Sequence, residues 1–312
     1  MISVIFPAYN EEKNVEELHR RIVFSLKKIG GEFEIIAVDN ASTDGTYQKL
    51  KDLSPIKIIR IGYNIGQTAA LDAGIRAAKG DVVVTMDADL QNDPDDIPRM
   101  FSKIKEGYDA VVGWRIERND SLWRKIFSVS ANWLTRTVLG FRLHDYACAL
   151  KMFKKEFLGS TRLYGEMHVF LAAILYYHGA KIVEIPVRHH ARLQGFSNHN
   201  FVKGIKDIAD LFTIKFLMGT SRPLLVFGAL AFFFWALGGA AFIGAIVLKV
   251  MELRDFAETP LPIVVAFFGV TGFVLLMMGF LAEIILRIYY ETNRKTPYMI
   301  KSVTEKEERK PI

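Results

Sequence analysis

Cysteine is almost missing from this 312-residue chain. Cys148 stands alone, which excludes an intramolecular disulfide framework and a multi-cysteine zinc site and leaves a buried, inert thiol as its plain reading. No G-x-x-x-x-G-K-[ST] occurs, and no G-x-G-x-x-G follows the first apolar run, so neither a P-loop nor a dinucleotide-binding loop would hold a phosphate here. Met1 opens directly into ISVIF, without a charged n-region, a long apolar run or a cleavage site, and no signal peptide is expected. Charge, too, is missing from two long stretches: residues 223–248 and 261–282 contain no Asp, Glu, Lys or Arg. As a helix rising ~1.5 Å per residue the first would reach roughly 39 Å, more than the ~30 Å of bilayer hydrocarbon. A buried core helix is the bland reading of either run. Two of them, separated by the polar KVMELRDFAETP, predict a transmembrane hairpin. Lys203, Lys206, Lys215 and Arg222 precede the first run, and Arg287, Arg294, Lys295 and Lys301 follow the second. The positive-inside rule then places both termini, and the large N-terminal part, in the cytoplasm.

What is present has two characters. Hydrophobic residues make up 51% of the chain while charged residues still reach 24%, a mixture that suits a soluble part joined to a membrane part. The net charge of +6 favours anionic headgroups and phosphorylated ligands beside a bilayer. Short apolar runs recur at residues 2–6, 33–38, 56–61, 82–86 and 110–113. Between them lie helically spaced residues such as Val15, Leu18, Ile22 and Leu26, or Ala70, Ala73 and Ala77 around Leu71. Continuous apolar strands alternating with helices predict a mostly parallel sheet covered on both faces, with ligands beyond the carboxyl ends of the strands.

Those strand ends carry PAYNEE (residues 7–12), DNASTDGT (39–46), GYNIGQTAALDAG (62–74) and MDADLQNDPDD (86–96). Singly such segments are ordinary turns; four on one edge point to a site. Asp87 and Asp89, two apart, face one side of an extended segment, and paired carboxylates call for a cation that prefers oxygen, Mg²⁺ or Mn²⁺, together with substrate phosphates. Asp93, Pro94, Asp95 and Asp96 have a different explanation, as the cap and acidic first turn of a helix running to Lys105. Phe201, Ile205, Ile208, Phe212 and Phe216 recur at helical spacing, which predicts an amphipathic helix over residues 199–222, packed on the catalytic part or, the favoured reading, lying in the bilayer interface.

In their order, PAYNEE, VDNASTDGT, NIGQTAALDAG and MDADLQ resemble the family 2 glycosyltransferases of the GT-A fold. DYACALKMFKKE, LYGEMH, IPVRHHARLQGFS and GFLAEIILRIYYETNRKTPY narrow the resemblance to polyprenyl-phosphate glycosyltransferases. These are relatives of dolichyl-phosphate mannosyltransferase and of bactoprenol glucosyltransferases with a two-helix membrane anchor. The resemblance covers nearly the whole chain. It implies a cytoplasmic Rossmann-like GT-A domain over residues 1–198, transmembrane helices at about 223–248 and 261–288 within a membrane part at 223–290, and a cytoplasmic tail at 291–312.

The resemblance also implies roles. Pro7, Tyr9 and Glu11 would embrace the nucleoside, Asp39 would bond the base, and Gln67 would lie on the donor side. Asp87 would contact the ribose or the metal, Asp89 would be the main metal ligand, and Gln91 would sit beside the diphosphate. Asp145 would lie close to the reacting centre, as a general base or as an orienting group for the sugar or an arginine. A dianionic lipid phosphate needs fixed cations, preferably guanidinium forks. Arg115, Arg124, Ser128, Arg188, Arg192 and Ser197 fall in the segments that match the family's acceptor-phosphate region, against the plain alternative of surface solvation. The reaction implied is inverting transfer of a sugar from a nucleotide-diphosphate sugar to an undecaprenyl or dolichyl phosphate on the cytoplasmic leaflet, with Mg²⁺ or Mn²⁺. The bilayer and a homo-oligomer are among the expected partners, and nucleic acid is not. Absence of Q-x-x-R-W disfavours a processive polysaccharide synthase. A catalytically silent scaffold or flippase-associated nucleotide-sugar-binding protein is the alternative, opposed by the intact Asp87, Asp89 and Asp145.

Overall fold

Parallel strands that are apolar on both faces must be covered on both sides, and helices supply the cover. The structure is a computed structural model describing residues 1–116, 135–159, 161–190, 210–216 and 222–292, apart from the side chains of 287 and 289–292. Contacts divide the chain into a first unit ending at Lys215 and a second beginning at Phe216.

The first unit holds β1 (Ile2–Ala8), α1 (Val15–Ile29), β2 (Phe33–Asp39), α2 (Thr46–Lys51), β3 (Lys57–Arg60), α3 (Gln67–Ala77), β4 (Val82–Thr85), α4 (Ile97–Lys105), β5 (Ala110–Arg115), β6 (Lys151–Lys154), α5 (Leu171–Tyr177) and β7 (Ile182–Val187). Seven strands form one sheet in the order β3-β2-β1-β4-β6-β5-β7. Among the described residues only β6 runs antiparallel to its neighbours, inserted between β4 and β5. The expected mostly parallel sheet is therefore present, and the five apolar runs become β1 to β5. Sequence reasoning missed β6 and β7. KMFK is too short and too charged to read as a strand, and IVEIPV carries Glu184 and Pro186, which this strand tolerates at the outer edge of the sheet.

The core lies along β1, whose Val4, Ile5 and Phe6 are completely buried. Val15, Leu18, Ile22 and Leu26 pack α1 onto this layer, as their spacing predicts. Helix α3 keeps Ala70 and Leu71 inward as expected but turns away from the rest of the alanine stripe: Gly74 and Ile75 face inward, while Ala73 and Ala77 are only partly covered. Gly74 explains the rotation, because a Cβ there would stand 2.4 Å from Ile5 Cγ2, so the helix rests directly on β1 at that point. Asp93 caps the next element, accepting a hydrogen bond from the Asp95 N–H (3.0 Å) ahead of a short 3₁₀ turn and α4, in agreement with the helix-start reading.

In the second unit α6 (Pro223–Val250) and α7 (Leu261–Thr292) are both long and apolar enough to cross a membrane. Their large side chains point outward, with Phe232 72% and Ile263 74% exposed, which is opposite to a soluble core helix. The two helices meet through small residues. Trp235 lies over Gly272 and donates to Gly269 O (3.1 Å), and Gly238 faces Phe268, whereas Gly239 faces open space.

Candidate active site

The parallel register places Ala8 beside Asp39 and Asp39 beside Arg60, so the loops after β1, β2 and β3 leave one edge together. Each loop is tied to the next. Asn10 Oδ1 accepts from the Thr43 N–H (2.8 Å), the Glu11 N–H donates to Thr46 Oγ1 (2.9 Å), and Glu12 Oε2 accepts from the Gly45 N–H (3.2 Å). A Cβ at Gly45 would sit 2.5 Å from the Glu12 carboxylate, so a side chain there would displace the flexible end of Glu12 from this bond. Asn40 then bridges to the third loop, donating to Asn64 Oδ1 (2.9 Å) and accepting from the Ile65 N–H (3.2 Å). Gln67 completes the series by donating to Asp87 Oδ1 (2.6 Å). Three residues here adopt left-handed backbone without being glycine: Asn10 (φ 57°), Ala41 (φ 61°) and Leu90 (φ 60°). That conformation costs roughly 1–2 kcal/mol for a residue with a Cβ, and such strain gathers at functional sites.

Asp39 is fully buried. Its Oδ1 accepts from the Ser42 N–H (3.1 Å); Oδ2 lies 3.2 Å from Arg60 Nε yet accepts no hydrogen bond. A buried acceptor lacking a donor is costly unless a ligand supplies one. Tyr9 stands 44% exposed on the neighbouring loop, and Pro7 and Glu11 are partly covered beside it.

Asp87 and Asp89 follow β4. Leu90's left-handed turn lets the Gln91 N–H fold back onto Asp89 Oδ1 (3.2 Å). Burial, and then the neighbouring Asp89 charge, push the Asp87 carboxyl up to about 6 despite Lys151, Arg115 and the Gln67 bond. The Asp89 charge beside the Asp87 carboxyl marks a place where a divalent cation would be held. Among the described residues no three His, Cys, Asp or Glu side chains gather as a metal centre. The protein thus offers a carboxylate pair, which suits a metal that takes its other ligands from phosphates and water.

Asp145 is buried and grips Arg115 bidentately, Oδ2 accepting from Nε (2.6 Å) and Oδ1 from Nη2 (2.8 Å). The fork raises the Arg115 pKa further, against burial, which alone would lower it. The fork joins Asp145 to an arginine of the kind that one of its two expected roles would have it orient. Lys151, missed by sequence reasoning as a site residue, enters β6 beside Thr85 and is 3% exposed. Its Nζ donates to the carbonyls of Cys148 (2.5 Å) and His168 (3.4 Å), and its charge acts on both Asp87 and Asp145. Burial lowers its pKa against those neighbours. The available signal was the place of Lys151 directly after the apolar ACAL in a motif already singled out. Cys148 is buried as expected, and burial pushes its thiol up to about 11.

Arg188 is exposed on the strand end after β7, 3.7 Å from Asp93. His190 Nε2 lies 3.0 Å from the same carboxylate, the Arg188 N–H donates to Asp96 Oδ2 (2.8 Å), and the His190 N–H donates to Gln91 O (2.9 Å). Asp93 and Asp96 therefore do more than start a helix: they fasten the 188–190 segment to the loop carrying Asp89 and Gln91. Arg124, Ser128, Arg192 and Ser197 lie outside the described residues.

Comparison with known proteins agrees with this geometry. Glucosyl-3-phosphoglycerate synthase from Mycobacterium tuberculosis, solved with phosphoglyceric acid, superimposes with a TM-score of 0.54 at 22% identity, over 68% of this chain and 79% of that one. The same enzyme with Mn²⁺, uridine diphosphate and glucosyl-3-phosphoglycerate gives 0.52 at 22% identity, over 70% and 80%. These likenesses establish the GT-A type of fold. Dodecaprenyl-phosphate galacturonate synthase of Rhizobium johnstonii is 35% identical over 316 aligned residues, covering 97% of this chain and 92% of that protein. The sequence model for Glycosyl transferase family 2 matches residues 3–161, the stretch from β1 through β6 that carries the interlocked loops, the carboxylate pair and the Asp145–Arg115 fork. By that match and that end-to-end relative, the chain belongs to glycosyl transferase family 2.

Proposed function

We propose that this protein transfers a sugar from a nucleotide-diphosphate sugar to a polyprenyl phosphate, inverting the anomeric centre, at the cytoplasmic face of a membrane. The observation that carries the reading is the likeness to a dodecaprenyl-phosphate galacturonate synthase along 97% of the chain, the apolar helices included. The catalytic part is taken as residues 1–198, with a juxtamembrane helix at 199–222, membrane helices within 223–290 and a tail at 291–312. The basic residues flanking the apolar helices support the cytoplasmic orientation.

Asp39 Oδ2 receives the base, with Pro7, Tyr9 and Glu11 around the nucleoside. Gln67 holds Asp87 in place. Asp87 and Asp89 would hold Mg²⁺ or Mn²⁺, which would supply positive charge to offset that developing on the departing nucleotide diphosphate. Gln91 sits beside that diphosphate. Arg115, aimed by Asp145, with Arg124, Ser128, Arg188, Arg192 and Ser197, receives the lipid phosphate. A phosphate monoester is already largely ionised near neutral pH, so its oxygen attacks the anomeric carbon without a base, and the bond to the diphosphate breaks on the opposite face.

The test is product formation. Detergent-purified protein, polyprenyl phosphate, Mn²⁺ or Mg²⁺ and a panel of nucleotide sugars should yield one lipid-linked sugar by mass spectrometry, lost with chelator and with Asp89→Ala. A folded protein that binds a nucleotide sugar but makes no lipid product with any donor or prenyl length overturns the acceptor assignment.

A further inference from the structure

The LYGEMH segment, singled out in the sequence, has no part in the chemistry above, yet it touches both supports of Asp87. Thr68 Oγ1, in the first turn of α3 next to Gln67, donates to Gly165 O (2.5 Å) and lies 2.6 Å from His168 Nδ1. With its only proton on Gly165 O, Thr68 Oγ1 accepts from the His168 Nδ1–H. His168 O is in turn one of the two carbonyls that hold the Lys151 ammonium. One turn thus braces Gln67, which bonds Asp87, and Lys151, whose charge acts on Asp87.

That turn is itself fastened from the residues ahead of the first apolar helix. Residues 210–214 are helical, and Leu211 and Ile214, which belong to the first unit, are buried. Phe212 remains 45% exposed. Asp210 Oδ2 accepts from the Glu166 N–H (2.6 Å), and a Cβ on Gly165, where φ is +56°, would lie 2.5 Å from that oxygen.

We infer that Asp210 is a positioning residue for the donor site, holding the Gly165–His168 turn so that Gln67 and Lys151 keep Asp87 in place. Its importance for turnover rests on the glycosyl-transfer reading; the positioning itself does not. The test uses the full chain in detergent and three variants. Asp210→Ala removes the acceptor, Gly165→Ala drives a methyl group into the carboxylate, and Asp210→Asn keeps an acceptor oxygen.

In hydrogen–deuterium exchange without ligand, the first two should speed exchange in residues 66–70 and 86–91 by about 3- to 30-fold, with Asp210→Asn near wild type. Amides of α1 and β2 should stay unchanged. Affinity for UDP or GDP with Mn²⁺, whichever the wild type binds, should fall by a similar factor. Faster exchange confined to residues 163–168 and 210–216, or spread evenly into β2, overturns the inference. Wild type that binds neither nucleotide counts against the glycosyl-transfer reading, while the exchange result still decides the positioning.

Discussion

Replacing Asp145 and Arg115 singly and together separates an orienting carboxylate from a general base. Both side chains are nearly shut off from water, at 5% and 14% exposure, and they are joined by two hydrogen bonds of 2.6 and 2.8 Å. Removing one partner of such a pair leaves a charge buried without compensation, at a cost of about 3–5 kcal/mol, whereas removing both costs little more than packing. Asp145→Ala and Arg115→Met should therefore each destabilise strongly, while the double variant is no worse than either, giving a coupling of at least about 3–5 kcal/mol in the cycle. Thermal unfolding followed by tryptophan fluorescence reads this as a fall of about 6–20 °C for each single change, with partial recovery in the double. Turnover completes the experiment. If Asp145 serves to aim Arg115, kcat should drop by a similar factor in all three variants. A further loss of more than about tenfold on adding Asp145→Ala to Arg115→Met would falsify the orienting role and return Asp145 to proton transfer.

Asp87 gives a pH prediction for the metal-free protein. Its carboxyl is raised from the ordinary 3.8 to about 6, so its contribution to stability is full below about pH 4 and is lost as pH rises through 6. At 1.36 kcal/mol per pH unit, Asp87→Asn, which keeps the acceptor for Gln67, should stabilise the chelated protein at pH 8 by about 1.5–3 kcal/mol while abolishing turnover. A variant melting below wild type in chelator at pH 8 would refute the repulsion argument. Asp39→Asn should weaken binding of the preferred nucleotide by about tenfold in calorimetry, and unchanged affinity would remove it from base recognition. Gly74→Ala, forced against Ile5, should lower stability by about 1–3 kcal/mol in denaturant titration, with no change as the contrary result. Ala41→Gly, relieving a left-handed alanine, should raise stability by roughly 0.5–1 kcal/mol in the same titration, and any loss would show that the strain is compensated elsewhere.

The edge where the loops after β1, β2 and β4 gather was largely legible because a parallel sheet writes itself as repeated apolar runs, and the loops follow directly in sequence. PAYNEE, DNASTDGT and MDADLQ could be placed from order alone. What joins them could not. The bond from Gln67 to Asp87 depends on how far α3 turns about its axis, and Gly74 sets that turn through one contact with Ile5. Lys151 was hidden because a short antiparallel insertion does not announce its neighbours. The Asp93–His190 contact joins residues 97 positions apart whose local patterns, a helix cap and a basic loop, each have a sufficient explanation nearby.

The place of β6 between β4 and β5 has a consequence for synthesis. Strands β1 to β4 are complete once Thr85 leaves the ribosome, but β5 cannot join them until β6, some 70 residues after β4, has emerged. At about 5–20 residues per second, the nascent sheet holds the bare edge of β4 open for roughly 3–14 s. During that interval the edge carrying the two carboxylates is also the one most open to wrong strand pairing. The lysines at both ends of β6, Lys151 and Lys154, then arrive together with the strand that closes it.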